Sequence, residues 1–128
     1  MLFIMRKIAF IFIFTFILRG LSYSQEGDAV KGELISKRCA VCHDFSAQKR
    51  NKVGPPLFGI YAQAVGKTQG YQYSAAIVSK GGSFIWDDKN LDGYLKSPKD
   101  FMPSGKMAFL LTDATERKDI IAYLKTVK

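Results

Sequence analysis

Cys39-Ala40-Val41-Cys42-His43 is the stretch on which the reading of this chain turns. Two thiols separated by two residues, with an imidazole directly after them, match the attachment signature of a c-type haem. The thiols add across the two vinyl groups as thioethers, and their spacing on a helical turn matches the distance between the vinyls. His43 can then reach the iron from one face as the proximal ligand. Three other readings compete. A disulfide suits a secreted chain with two Cys, but it has no use for His43. A thioredoxin-like redox motif wants a βαβ setting, and no strand precedes this one. Zinc wants four ligands, and two Cys and one His leave carboxylates to complete the shell.

The single His also constrains the other side of the iron. Two imidazoles cannot come from this chain. Outside the first 24 residues the Met candidates are Met102 and Met107, both in a Pro-containing segment near the C-terminus. A thioether is a soft ligand suited to low-spin haem iron, and His/Met ligation raises the reduction potential. The plainer use of either Met is to fill the core.

Upstream, residues 1–24 have the pattern of a signal peptide. Arg6 and Lys7 precede an apolar run over residues 8–18, broken only by Thr15, and Ser22-Tyr23-Ser24 offers a small-x-small cleavage site. The run has 11 residues, whereas a spanning helix needs roughly 20. Cleavage after Ser24 and export to the periplasm are expected, the alternative being an uncleaved anchor that faces the periplasm. Removing Arg6, Lys7 and Arg19 leaves 16 Lys/Arg against 11 Asp/Glu, a net charge of +5. That balance favours acidic partners at moderate range. The bases are spread along the chain with no aromatic-interleaved cluster, so nucleic acid is not expected.

Residues 25–128 read as one domain without repeats or linkers. A helix is expected over residues 28–42, capped by Asp28, with Val30, Leu34, Ile35 and Arg38 at helical spacing. Residues 44–72 are rich in Gly and Pro and read as loop. Short helices follow over residues 74–79 and 87–96, with Pro98 ending the second and residues 98–111 again loop. Asp113 and Glu116 open a last helix with a capping-box-like pattern, and Ile120, Ile121, Leu124 and Val127 form its stripe. The fold class is all-α, with about four to five helices and long loops. Long loops count against an assignment in so small a domain unless they wrap a cofactor.

Taken in order, these pieces resemble class I cytochrome c, the monohaem His/Met family, over nearly all of residues 25–128. They are Gly32, the Cys39–His43 motif, Gly54-Pro55-Pro56-Leu57, Gly70-Tyr71-x-Tyr73-Ser74 and Trp86, then Leu91-x-x-Tyr94-Leu95, Pro98-Lys99, Pro103-x-x-Lys106-Met107-x-Phe109 and the closing run from Asp119 to Leu124. The resemblance implies one haem c attached through Cys39 and Cys42, with His43 and Met107 as iron ligands. It implies that the Pro55 carbonyl accepts from the second imidazole nitrogen, that Tyr73 and Trp86 hydrogen-bond a propionate, and that Tyr94 approaches the Met sulfur. It also places Gly32 and Tyr123 where the first and last helices cross. Two positions depart from the family pattern. Gln63 stands where an Arg often pairs with a propionate, and Gly105 stands where a Thr hydroxyl is usual.

The function implied is a one-electron carrier, not an enzyme. Its partners would be acidic redox proteins: an oxidase, a cytochrome bc complex, or a periplasmic dehydrogenase or reductase. They would dock on a basic rim of Arg38, Lys52, Lys99 and Lys106, with Lys49 and Arg50 nearby, on a monomeric protein. Two alternatives remain open: a haem-based sensor or enzyme with a labile sixth ligand, and a fixed haem subunit of a dehydrogenase.

Overall fold

A computed structural model describes residues 26–128, so the signal-peptide reading of residues 1–24 lies outside the described residues. Five helices follow in chain order: α1 Ala29–Cys39, α2 Ala75–Ser79, α3 Asp88–Lys96, α4 Pro98–Phe101 and α5 Ala114–Thr126. The one β feature among the described residues is an isolated antiparallel bridge between Ala64 and Ile85.

Helix α1 starts where expected. The Asp28 carboxylate accepts from the N–H groups of Val30 (2.9 Å) and Lys31 (3.2 Å), satisfying two otherwise unpaired donors. The Asp28 N–H in turn donates to the Asp119 carboxylate at 2.7 Å, tying the cap of α1 to α5. The helix is shorter than expected and stops at Cys39. The N–H groups of Cys42 and His43 both turn back to the Cys39 carbonyl at 3.0 Å, so the second thiol and the imidazole sit on a tight turn.

The buried face of α1 carries Gly32, at the crossing where the family resemblance places it. Gly32 and Ser36 face inward, while Val30 and Leu34 face solvent. The cause is the crossing with α5. A Cβ on Gly32 would lie 2.0 Å from the Asp119 carbonyl oxygen and 2.7 Å from Tyr123 Cβ. Backbones that close admit only small residues at the crossing; Val30 and Leu34 lie on the opposite face, while Ile35 packs on the core.

Asp113 caps α5 by accepting from Thr115 and Glu116 N–H at 2.7 and 2.9 Å. Glu116 pairs with Arg38 on α1 at 2.8 Å, so the Glu side of the capping-box pattern serves the crossing. Ile120, Ile121 and Leu124 of α5 bury against Leu91 and Leu95 of α3. The stretch after α3 is a second correction. Pro98 does not open a loop; it is the first residue of α4. The chain breaks at Ser97, and a proline's fixed φ suits a first helical position, where its missing N–H costs nothing. Helix α4 delivers Met102 into the core, 1% exposed.

Residues 44–72 form the expected loop, and specific bonds hold it. The buried Asp44 carboxylate accepts from Ser46 and Arg50 through both backbone and side chain. The Arg50 bonds, with those from Ser46, hold this carboxyl well below the usual carboxylate range despite burial. Farther on, Gly59 N–H donates to the Val127 carbonyl, and Ala62 and Val65 N–H donate to those of Trp86 and Phe84. The loop thus lies across the ends of the helices and forms one wall of a cavity.

Candidate cofactor site

A cavity of about 590 Å³ opens between the end of α1, the loop wall, α3 and the segment before α5. All eight residues expected to touch a cofactor line it: Cys39, Cys42, His43, Pro55, Tyr73, Trp86, Tyr94 and Met107. Its inner surface is completed by aliphatic side chains, including Leu91 and Leu95 of α3 and Ile120 and Leu124 of α5.

Cys39 and Cys42 are free thiols. Burial pushes the Cys39 thiol up, with neighbouring Arg38 acting the other way. The His43 ring lies 2.6 Å from the Pro55 carbonyl through Nδ1. A carbonyl can only accept, so Nδ1 carries the proton and Nε2 keeps its lone pair. Burial, assisted by the charge of Lys52, lowers the imidazole pKa against the opposing Pro55 bond, which favours the same neutral form. Gly54 makes room for the ring, because a Cβ there would fall 2.3 Å from His43 Cε1. The sequence marks Gly54 as loop punctuation and as the first residue of the Gly54-Pro55-Pro56-Leu57 motif, and its spatial role becomes visible once the chain folds back on the imidazole.

The two methionines separate by position. Met102 is sealed in the core, while Met107 is half-buried on the cavity wall. Aromatic rings fill the space around the wall. Trp86 and Tyr94 have ring centroids 5.1 Å apart, and Tyr71 meets Tyr73 edge-on at 4.8 Å. Burial, with smaller contributions from Tyr71 and Tyr73, pushes the Tyr94 phenol up to about 12. Ser74 also lines the cavity, and its buried hydroxyl has no hydrogen-bond partner. An orphaned buried hydroxyl is uncommon and expects a polar group opposite it.

Of the cations expected at the rim, Arg38 and Lys106 line the cavity, and all six are engaged. Arg38 pairs with Glu116 and lies over the Phe109 ring, 5.9 Å from its centroid. The Lys52 ammonium donates to the Ala40 carbonyl, Lys99 to the Gly105 carbonyl, and Lys106 to the Gln72 carbonyl at 3.1 Å. Lys49 lies over Phe58, and Arg50 belongs to the Asp44 cluster.

Among the described residues no three His, Cys, Asp or Glu side chains gather as a metal cluster, which leaves a zinc shell incomplete. Two thiols, a neutral imidazole, a thioether, an apolar cavity and one unpartnered hydroxyl fit a flat, mostly apolar macrocycle with a polar edge.

A family model described as Cytochrome c matches residues 29–128. The chain is 40% identical over 112 residues to cytochrome c2 of Rhodospirillum rubrum, covering 80% of this chain and 100% of that one. It is also 40% identical over 113 residues to cytochrome c-550 of Novispirillum itersonii, covering 80% and 100%. Among solved structures, cytochrome c2 of Rhodospirillum centenum superposes with a TM-score of 0.75 at 35% identity, covering 79% of this chain and 98% of that one. Cytochrome cH of Methylobacterium extorquens does so with 0.71 at 39% identity, covering 78% and 99%. The ordered motifs, their convergence on one cavity and these matches lead to one conclusion: the chain belongs to the cytochrome c family.

Proposed function

We propose that this chain carries single electrons through one c-type haem, which Cys39 and Cys42 would anchor and whose iron His43 and Met107 would hold. The observation that carries the reading is that these four side chains, drawn from two distant stretches of sequence, line one apolar cavity. The haem, when bound, supplies an iron that takes up and returns one electron. The chain holds the ligands still. Pro55 fixes the imidazole through Nδ1–H, an outer hydrogen bond that orients the ring and raises its basicity as a ligand. Tyr73 and Trp86, with Ser74 beside them, serve the propionate edge, and Tyr94 serves the Met107 sulfur. The aliphatic wall keeps water away from both ligands. A closed pair of protein ligands suits transfer of electrons and opposes binding of small molecules, so the chain is an electron carrier, not an enzyme.

Residues 1–24 act as an export signal, which puts the carrier in the periplasm, or anchored to face it if the segment is retained. No helix of the described residues is long and apolar enough to cross a membrane. Acidic redox proteins such as an oxidase, a cytochrome bc complex or a periplasmic dehydrogenase dock at the cavity mouth near Arg38, Lys52, Lys99 and Lys106. The deciding experiment exposes the ferrous holoprotein to carbon monoxide. An unchanged visible spectrum, with a single reversible one-electron wave, is expected. A carbon monoxide-shifted spectrum would favour the sensor or enzyme with a labile sixth ligand.

A further inference from the structure

Val30, Leu34, Lys37 and Val41 follow one another at spacings of four, three and four residues, which puts them in one line down α1 and the turn after it. That line lies opposite Gly32 and Ser36, the face packed on α5. Val30 is 72% exposed, Leu34 60% and Val41 73%. The line continues past the helix. The Gly54 N–H donates to the Cys42 carbonyl at 2.8 Å and Lys52 reaches the Ala40 carbonyl, which lays Val53, 77% exposed, beside the turn. Val41 and Val53 both line the cavity mouth. Exposed apolar residues scattered singly, such as Val78 and Ile85, are ordinary. Four in one strip running into the mouth of the site are a surface.

We infer that this strip is a contact surface for the electron-transfer partner, which lies along the outward face of α1 as well as over the cavity mouth. The inference rests on the proposed function, because continuity with the mouth is what assigns the strip to a redox protein. The chemistry of the partner follows from the charges. Arg38, Lys52, Lys99 and Lys106 already have internal acceptors. Close-range contact therefore falls to the apolar strip, and the net positive charge acts at longer range. The fitting partner presents an apolar ridge with carboxylates beside it, at the position facing Lys37.

The test compares wild-type holoprotein with the double variant Val30→Gln, Leu34→Gln. Both positions are exposed, outside the cofactor site, and Gln is a good helix former. The probes are oxygen uptake by a detergent-solubilised haem–copper cytochrome c oxidase and oxidation by ferricyanide, a small ion that needs no docking surface. The expected result is a KM for the oxidase raised about tenfold, with kcat, the ferricyanide rate and the melting temperature unchanged. A KM within about twofold of wild type overturns the inference and leaves the electron-carrier reading standing. Loss of binding to phosphatidylglycerol vesicles in the variant, with KM unchanged, assigns the strip to a lipid surface and also overturns it. Wild-type protein that reacts with ferricyanide but gives no oxidase turnover overturns the inference for this partner and leaves the electron-carrier reading standing.

Discussion

The imidazole of His43 donates Nδ1–H to the carbonyl of Pro55 at 2.6 Å, which leaves Nε2 as the only ring nitrogen with a free lone pair. The bond depends on the residue before Pro55. In Gly54→Ala the new Cβ would fall 2.3 Å from the ring. Ring or loop must then move, and overpacking of that kind costs about 1–3 kcal/mol. The variant is expected to unfold at lower denaturant and to show an altered ferric spectrum. A wild-type midpoint and spectrum would refute the role given to Gly54.

The crossing of α1 and α5 offers a contrasting case. In Gly32→Ala the added methyl meets backbone, 2.0 Å from the Asp119 oxygen, which cannot swing away as a side chain end can. A loss of about 1–3 kcal/mol in denaturant unfolding is expected, with the visible spectrum unchanged because the site is remote. A loss below about 0.5 kcal/mol would mean that the helices part at little cost.

Tyr94 makes stability sensitive to alkali. In the unfolded chain the phenol ionises near its ordinary value of 10.0, but in the fold it stays neutral to about 12. Below that window the group contributes no pH dependence. Between the two values the unfolded state loses a proton that the folded state keeps, so stability falls as pH rises, and the effect levels off above about 12. Tyr94→Phe should remove this part of the curve. Parallel curves for variant and wild type through that range would contradict it.

Gln63 bears on the potential. Among the described residues the cations lining the cavity are Arg38 and Lys106, both engaged, and Gln63 is not among the lining residues, so a haem propionate held there would lack a neutralising charge. Its pKa is then raised, and protonation as pH falls favours the reduced state. The reduction potential is expected to rise as pH drops from about 8 to 5, and Gln63→Arg should flatten the trend. A wild-type potential independent of pH over that range would count against it.

Much of the site is legible in the sequence because its chemistry sits in short motifs. Cys39, Cys42 and His43 are adjacent, and Met107 is marked by Lys106 and Phe109. Helix caps at Asp28 and Asp113 are equally local, and each accepts the backbone N–H groups its position predicts; Asp87, read as the first helical residue, is the cap of α3. What escapes local reading depends on distant partners. Gly32 is expected at the α1–α5 crossing from the family resemblance, but the helical spacing of Val30 and Leu34 does not show that they face solvent, which depends on how closely α5 approaches. Pro98 reads as a stop, yet the break at Ser97 lets it start α4. Gly54 and Ser74 acquire roles only when His43 and the cavity come beside them.

A haem iron held between His43 and Met107, with Met102 left in the core, has an optical signature. The most direct measurement is the far-red absorption of the ferric holoprotein, made in a host that matures c-type haem. Low-spin protein with a weak charge-transfer band is predicted, the band being lost in Met107→Ala and kept in Met102→Leu. A high-spin wild-type spectrum, or a band that survives Met107→Ala, would contradict the account.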